Sequence, residues 1–185
     1  MNALELLRAS LPDEARDIKL NLSAVLQGGS GAALSQAQRW GVAVACAAAT
    51  RNAALLEATL ADAAAHAEAP VISDALAASV VMAMNNVFYR FRHMIGKPAY
   101  EAKPARLRMN RLGQPASRKV DFELFALAVS AMNACESCVR SHEKVVLENG
   151  LTDDHVHEAV RIAAVMQATA VALEIKARAT APVAA

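Results

Sequence analysis

The chain has 185 residues, with 19 Lys and Arg against 18 Asp and Glu, and its net charge of +1 gives no whole-chain argument for a nucleic acid or a strongly acidic partner. Hydrophobic residues make up 55% of it and charged residues 20%, too apolar a balance for a disordered chain. Ala alone supplies nearly a quarter and aromatics only 4%, and since Ala favours helices while strands prefer aromatic and β-branched residues, the composition predicts an all-α protein.

In chain order, residues 4–11 read as a short helix interrupted at Pro12, and residues 14–25 carry Ile18, Leu22 and Val25 near helical spacing. Gly28, Gly29, Ser30 and Gly31 form a breaker cluster, hence a loop. Ser35 followed by Gln38 is a capping-box pattern that opens a helix to about Ala49. Residues 52–67 form another Ala-rich helix, and Pro70, Ser73 and Asp74 mark the start of one running to about Met94. Residues 96–117, with Gly96, Pro98, Pro104, Gly113 and Pro115, read as a long connector with one short helical turn, of the kind that is functional or packed at an interface. The last third reads as a helix over 118–132, a turn at Asn133 and Ala134, a helix over 135–148 stopped at Asn149 and Gly150, and a Thr152-capped helix to about Ala179. The tail from Thr180 to Ala185 is expected to fray.

Ala83-Met84-Asn85 with Arg92, and Ala131-Met132-Asn133 with Arg140, repeat at an offset of 48 residues. Read as a true repeat they divide the chain into two related helical lobes, about 1–95 and 118–180, joined by the connector within a single domain spanning 1–185. Read as coincidence in an Ala-rich chain they mean nothing, and four matching positions do not choose between the two.

No apolar run approaches the roughly 18 residues that cross a bilayer, and the N-terminus has no basic segment followed by an apolar one. The expectation is a cytoplasmic protein that binds neither membrane nor nucleic acid. Three cysteines in a reducing compartment are no disulfide framework, but Cys135 and Cys138 form a C-x-x-C pair.

That spacing suits a reversible disulfide or two ligands of a metal. The pair opens a helix, where unspent backbone N–H groups and the positive end of the helix dipole favour a thiolate. His142 lies four residues after Cys138 and seven after Cys135, on the same helix face. Glu123 stands twelve residues before Cys135, too far along one continuous helix; if the chain reverses at Asn133 and Ala134, it comes within one turn of His142. The hairpin then lines up Glu123, His142, Cys138 and Cys135, in which a carboxylate orients the imidazole and the imidazole promotes the thiolate.

Other readings compete. A structural zinc site needs four ligands, and no second C-x-x-C follows; His155 and His157 are poorly spaced for the purpose. The two cysteines also fit as small core residues, as Cys46 does. Glu123 alone reads as a solvated helix residue, and His142 alone as a surface or satisfied histidine. Asn85, Asn86 and Tyr89 read as buried polar groups that fix helix packing rather than as catalytic ones. Nine Lys and Arg fall from Arg90 to Lys119, among them Arg92, Lys97, Arg106, Arg108, Arg111 and Arg118; a solvated loop or intersubunit pairing with Glu residues is preferred there to docking of an acidic carrier domain.

The segment Phe122-Glu123-Leu124 with Ser130-Ala131-Met132-Asn133-Ala134-Cys135-Glu136-Ser137-Cys138-Val139-Arg140-Ser141-His142-Glu143 resembles the alkyl hydroperoxide reductase AhpD family, within the carboxymuconolactone decarboxylase-like superfamily. Leu11-Pro12, the stretch from Asp17 to Ser23, Trp40-Gly41, Ala47-Ala48-Ala49-Thr50-Arg51-Asn52 and Met84-Asn85-Asn86-Val87-Phe88-Tyr89-Arg90 extend the resemblance over nearly the whole chain. It implies an all-α homotrimer of two related lobes, acting as a lipoyl-dependent peroxidase and disulfide reductase in antioxidant defence. It makes Cys138 the peroxidatic cysteine that becomes a sulfenic acid, Cys135 the proton donor and resolving thiol, and His142 and Glu123 the proton relay. It implies no tightly bound cofactor or metal. The reductant is the dihydrolipoyl group of a lipoylated acyltransferase, and an AhpC-type peroxiredoxin is a partner. Some relatives carry a His just before the second Cys, where this chain has Ser137, so a role for that imidazole does not transfer. Two other functions stay open: a cofactorless decarboxylase, which has no use for C-x-x-C, and a non-enzymatic redox-sensing or zinc-binding module.

Overall fold

A computed structural model describes residues 2–179; the tail for which fraying was expected lies outside the described residues. The described chain is helical, with no strand: α1 (Ala3–Ala9), a 3₁₀ turn (Asp13–Ala15), α2 (Arg16–Gln27), α3 (Gln36–Thr50), α4 (Ala53–Ala63), α5 (Ala69–Ile95), α6 (Pro98–Glu101), α7 (Asn110–Gly113), α8 (Lys119–Met132), α9 (Glu136–Glu148) and α10 (Asp153–Ala179).

Two helices form the centre. Every residue of α3 from Gln38 to Ala47 is buried, and so is every residue of α8 from Val120 to Ser130. A helix hydrophobic all round must be enclosed on all sides, and α5, α10 and each other enclose these two. Small side chains permit close approach: Gly41 of α3 faces the ring of Phe125 in α8, and a Cβ at Gly41 would overlap that ring. The buried Gln38 Nε2 also donates to Asp121 Oδ1 at 2.8 Å, tying α3 to α8. One hydrophobic cluster runs from Leu4 to Ala170 and draws Val42 and Phe125 into the same core.

Local signals account for the element starts. Ser35 Oγ accepts from the Gln38 amide while the Gln38 side chain accepts from the Ser35 amide, a complete capping box. Asn52 caps α4 through the Leu55 amide and donates across to Glu174 of α10. The two 27-residue helices, α5 and α10, are apolar enough on average to cross a membrane by length and composition, which no continuous apolar run in the sequence revealed. Here they pack on α3 and α8 and bury polar side chains, Asp74 and Asn86 from α5 and Thr169 from α10.

The connector holds two short helices rather than one turn, because Asp74 organises its second half. The Asp74 carboxylate, fully buried, accepts from the amides of Ala116 and Ser117, the Ser117 hydroxyl and Arg111. Burial alone pushes this carboxyl up, but those donors outweigh it and hold Asp74 below the ordinary carboxylate value. The clamp fixes α7 against α5 and α8, next to the thiol pair.

Candidate active site

The thiol pair sits where α8 turns into α9. The Ala134 amide donates to Ala131 O and the Cys135 amide to Ser130 O, the two bonds of a Schellman motif. The motif needs a left-handed residue, and Ala134 supplies it with φ 51° in place of the usual glycine. Cys135 thus ends one helix motif and is the N-cap of the next. α5 pins the turn: Asn86 Nδ2 donates to Ser130 Oγ at 2.9 Å, Asn133 Nδ2 to Asn86 Oδ1 at 2.9 Å, and Arg90 to Asn133 O at 2.6 Å.

Helix α9 is amphipathic, and its buried residues are Cys138, His142 and Val146, one every fourth position. That stripe points the second cysteine and the histidine inward together. Cys135 and Cys138 are joined as a disulfide, with Cα atoms 5.3 Å apart. His142 Nδ1 lies 2.6 Å from Glu123 Oε2, and the pair is buried between α8 and α9. With Nδ1 committed to the carboxylate, Nε2 is the ring nitrogen left for other chemistry. Ser137 Oγ stands 3.8 Å from Cys135 Sγ.

A cavity of about 520 Å³ opens on this site. Cys138, His142 and Glu123 line it, together with Tyr89 of α5, Met109 and Leu112 from the connector, and Val145 of α9. Cys135 is wholly buried behind Cys138 and does not line it. Of the four residues singled out by sequence, the structure therefore couples two as a disulfide and two as a hydrogen-bonded pair, and sets three of them on one cavity.

One sequence reading needs correction. Asn85 does not fix packing as Asn86 does. It is buried and lines the same cavity, and its Oδ1 has no hydrogen-bond partner. Successive helix residues point about 100° apart, so only one of two adjacent asparagines reaches the turn. The basic stretch is paired within the chain only in part. Arg90, Arg92, Arg111 and Arg118 find partners within the chain, while among the described residues the side chains of Lys97, Lys103, Arg106, Arg108 and Lys119 have none. Cys46 is fully buried in α3, and burial pushes its thiol up, away from reactivity. Among the described residues no group of three or more His, Cys, Asp or Glu side chains is arranged to hold a metal ion.

An all-helical fold with a disulfide at a helix mouth, backed by a buried imidazole–carboxylate pair, defines a thiol–disulfide protein. The sequence model of the carboxymuconolactone decarboxylase family matches residues 98–181, which contain the pair. The chain is 66% identical over 185 residues to alkyl hydroperoxide reductase AhpD of Anaeromyxobacter dehalogenans strain 2CP-C, covering 100% of this chain and 98% of that one. It is 47% identical over 174 residues to the AhpD of Solibacter usitatus, covering 94% and 97%, and 45% identical over 175 residues to that of Rhodospirillum centenum, covering 95% and 92%. The chain belongs to the AhpD family of alkyl hydroperoxide reductases.

Proposed function

We propose that the protein is a lipoyl-dependent thiol peroxidase and disulfide reductase. The observation that carries this reading is the Cys135–Cys138 disulfide at the mouth of α9, with the buried His142–Glu123 pair on the same cavity. In the reduced protein the N-terminal amides of α9 favour the Cys138 thiolate, and His142, oriented by Glu123, carries the proton. The thiolate attacks the terminal oxygen of a hydroperoxide. The S–O bond forms as the O–O bond breaks; sulfur is oxidised to a sulfenic acid, and the leaving alkoxide takes the Cys135 proton to become an alcohol. The Cys135 thiolate then attacks the Cys138 sulfenic sulfur, giving the disulfide and, with one proton, water.

A dihydrolipoyl group resets the pair. One of its thiolates attacks Cys138, the sulfur on the cavity, and displaces Cys135; its second thiol closes the lipoyl disulfide and releases Cys138. The same exchange run outward reduces the disulfide of an AhpC-type peroxiredoxin, the partner this reading assigns. The donor is the lipoyl arm of a dihydrolipoamide acyltransferase, which places the protein in the cytoplasm beside such enzymes. No tightly bound cofactor takes part. A homotrimer completes the proposal, and it is supported by an apolar stripe left exposed along α5: Val80, Val87, Phe91 and Met94. A decarboxylase would have no use for the redox pair.

The test is a coupled assay with lipoylated acyltransferase, its dehydrogenase and NADH, with and without the peroxiredoxin. NADH oxidation that requires this protein and an organic hydroperoxide or the oxidised peroxiredoxin supports the reading; no oxidation with either overturns it.

A further inference from the structure

We propose that Asn85 is the residue that holds the peroxide group of an organic hydroperoxide against Cys138, an inference that rests on the peroxidase reading above. Asn85 is 5% exposed, sits on the cavity wall, and is the one described residue with a buried side-chain nitrogen or oxygen that no group bonds. An unpaired polar atom at such a site is costly and is kept where it has work to do. Its neighbour Asn86 spends both ends of its carboxamide on the α8–α9 turn, which shows that α5 had a structural use for one asparagine but not for the second.

The chemistry of a carboxamide fits the peroxide group. It presents an acceptor and a donor side by side. A hydroperoxide presents a donor, its terminal O–H, next to an acceptor, the oxygen that bears the alkyl group. Oδ1 is closed off from the cavity as it stands, so the carboxamide turns for it to accept the terminal O–H, and the terminal oxygen stays free for attack by the Cys138 thiolate. As the S–O bond forms and the O–O bond breaks, negative charge grows on the alkyl-bearing oxygen, which Nδ2 can stabilise by donating to it. The terminal hydrogen stays with its oxygen in the sulfenic acid, and the alkoxide takes the Cys135 proton. The rest of the cavity suits the organic part. At about 520 Å³ it is more than ten times the roughly 30 Å³ share of one water, and Met109, Leu112 and Val145 offer an apolar surface.

The experiment uses the full-length reduced protein, mixed with cumene hydroperoxide in single turnover, for wild type, Asn85→Leu and Asn85→Ala. Alkylation of Cys138 by iodoacetamide against pH and the melting temperature are measured alongside. Both substitutions should slow the peroxide step at least about tenfold, with the alkylation profile unchanged. Asn85→Leu, which fills the same space without an unpaired oxygen, should melt no lower than wild type. A purely structural asparagine would give a lower melting temperature for Asn85→Leu and a peroxide rate within twofold of wild type, and either result overturns the assignment. A shifted alkylation profile that accounts for the slowing also overturns it. If wild type itself does not react with the hydroperoxide, the peroxidase reading falls and this one with it; a reactive wild type with equally reactive variants removes the Asn85 role alone.

Discussion

His142 Nδ1 lies 2.6 Å from Glu123 Oε2, and the two groups come from helices that run antiparallel after the turn at Asn133 and Ala134. The pair is almost closed to solvent, so the carboxylate sets the imidazole tautomer with little competition from water. With His142 in the proposed role of proton carrier, His142→Phe should slow sulfenic acid formation by about 100-fold. Glu123→Gln keeps a hydrogen bond but not the charge, and should cost about 10-fold. A relay in which the two act as a unit predicts a double variant no slower than His142→Phe alone. Single-turnover peroxide kinetics over a range of pH read all three; additive losses would mean that the residues act separately.

Asp74 stabilises the fold through its charged form. Its pKa is held below the unfolded value of about 3.9, so the stabilisation is fully present above that pH and is lost as pH falls through the lower folded value. Asp74→Asn should destabilise the protein by about 2 kcal/mol at pH 7, where Arg111 and the amides of Ala116 and Ser117 lose their ionised acceptor. The gap from wild type should narrow below about pH 4. Urea unfolding at pH 7 and at pH 3 measures it; a gap that widens in acid contradicts the assignment.

Gly41→Ala ought to help an isolated helix by about 1 kcal/mol. Here the added methyl meets the Phe125 ring, and overpacking of about 1–3 kcal/mol outweighs that gain. The variant should melt about 3–6 °C lower. Since Phe125 and Glu123 share α8, thiol reactivity should fall with it. A melting temperature at or above wild type would show that α8 shifts away from α3 without cost.

The helices were legible because their signals are local: the capping box at Ser35 and Gln38, Pro70 at the first turn of α5, and the polar-apolar pattern of α9. The Glu123–His142 contact was reachable as well, since one chain reversal at Asn133 and Ala134 determines it. What stayed hidden depends on distant partners. Asn85 and Asn86 look alike in sequence, and only the position of the α8–α9 turn gives one of them bonds and leaves the other facing the cavity. The second connector helix was missed for the same reason: its anchor, Asp74, lies 37 residues before Arg111.

The unpaired cations of the connector region, Lys97, Lys103, Arg106 and Arg108, lie on the segment that supplies Met109 and Leu112 to the cavity, and Lys119, also unpaired, lines the cavity itself. Charge there should steer an acidic lipoyl carrier toward the disulfide. Raising the salt from 0.05 to about 0.5 M, where screening shortens to a few Å, should slow reduction by the carrier protein several-fold while leaving reduction by free dihydrolipoamide nearly unchanged. Equal sensitivity of the two donors would remove the steering role.

The proposed cycle takes Cys135 and Cys138 between dithiol and disulfide with electrons from dihydrolipoyl groups, and Cys138 meets the peroxide. Its most direct measurement is trapping with dimedone after one equivalent of hydroperoxide is added to the dihydrolipoamide-reduced protein, with the adduct located by mass spectrometry. Cys135→Ser should carry one adduct, on Cys138; Cys138→Ser should carry none; and wild type should instead close its disulfide and reopen it with dihydrolipoamide. An adduct on Cys135, or a wild-type disulfide that dihydrolipoamide does not reduce, would contradict this cycle.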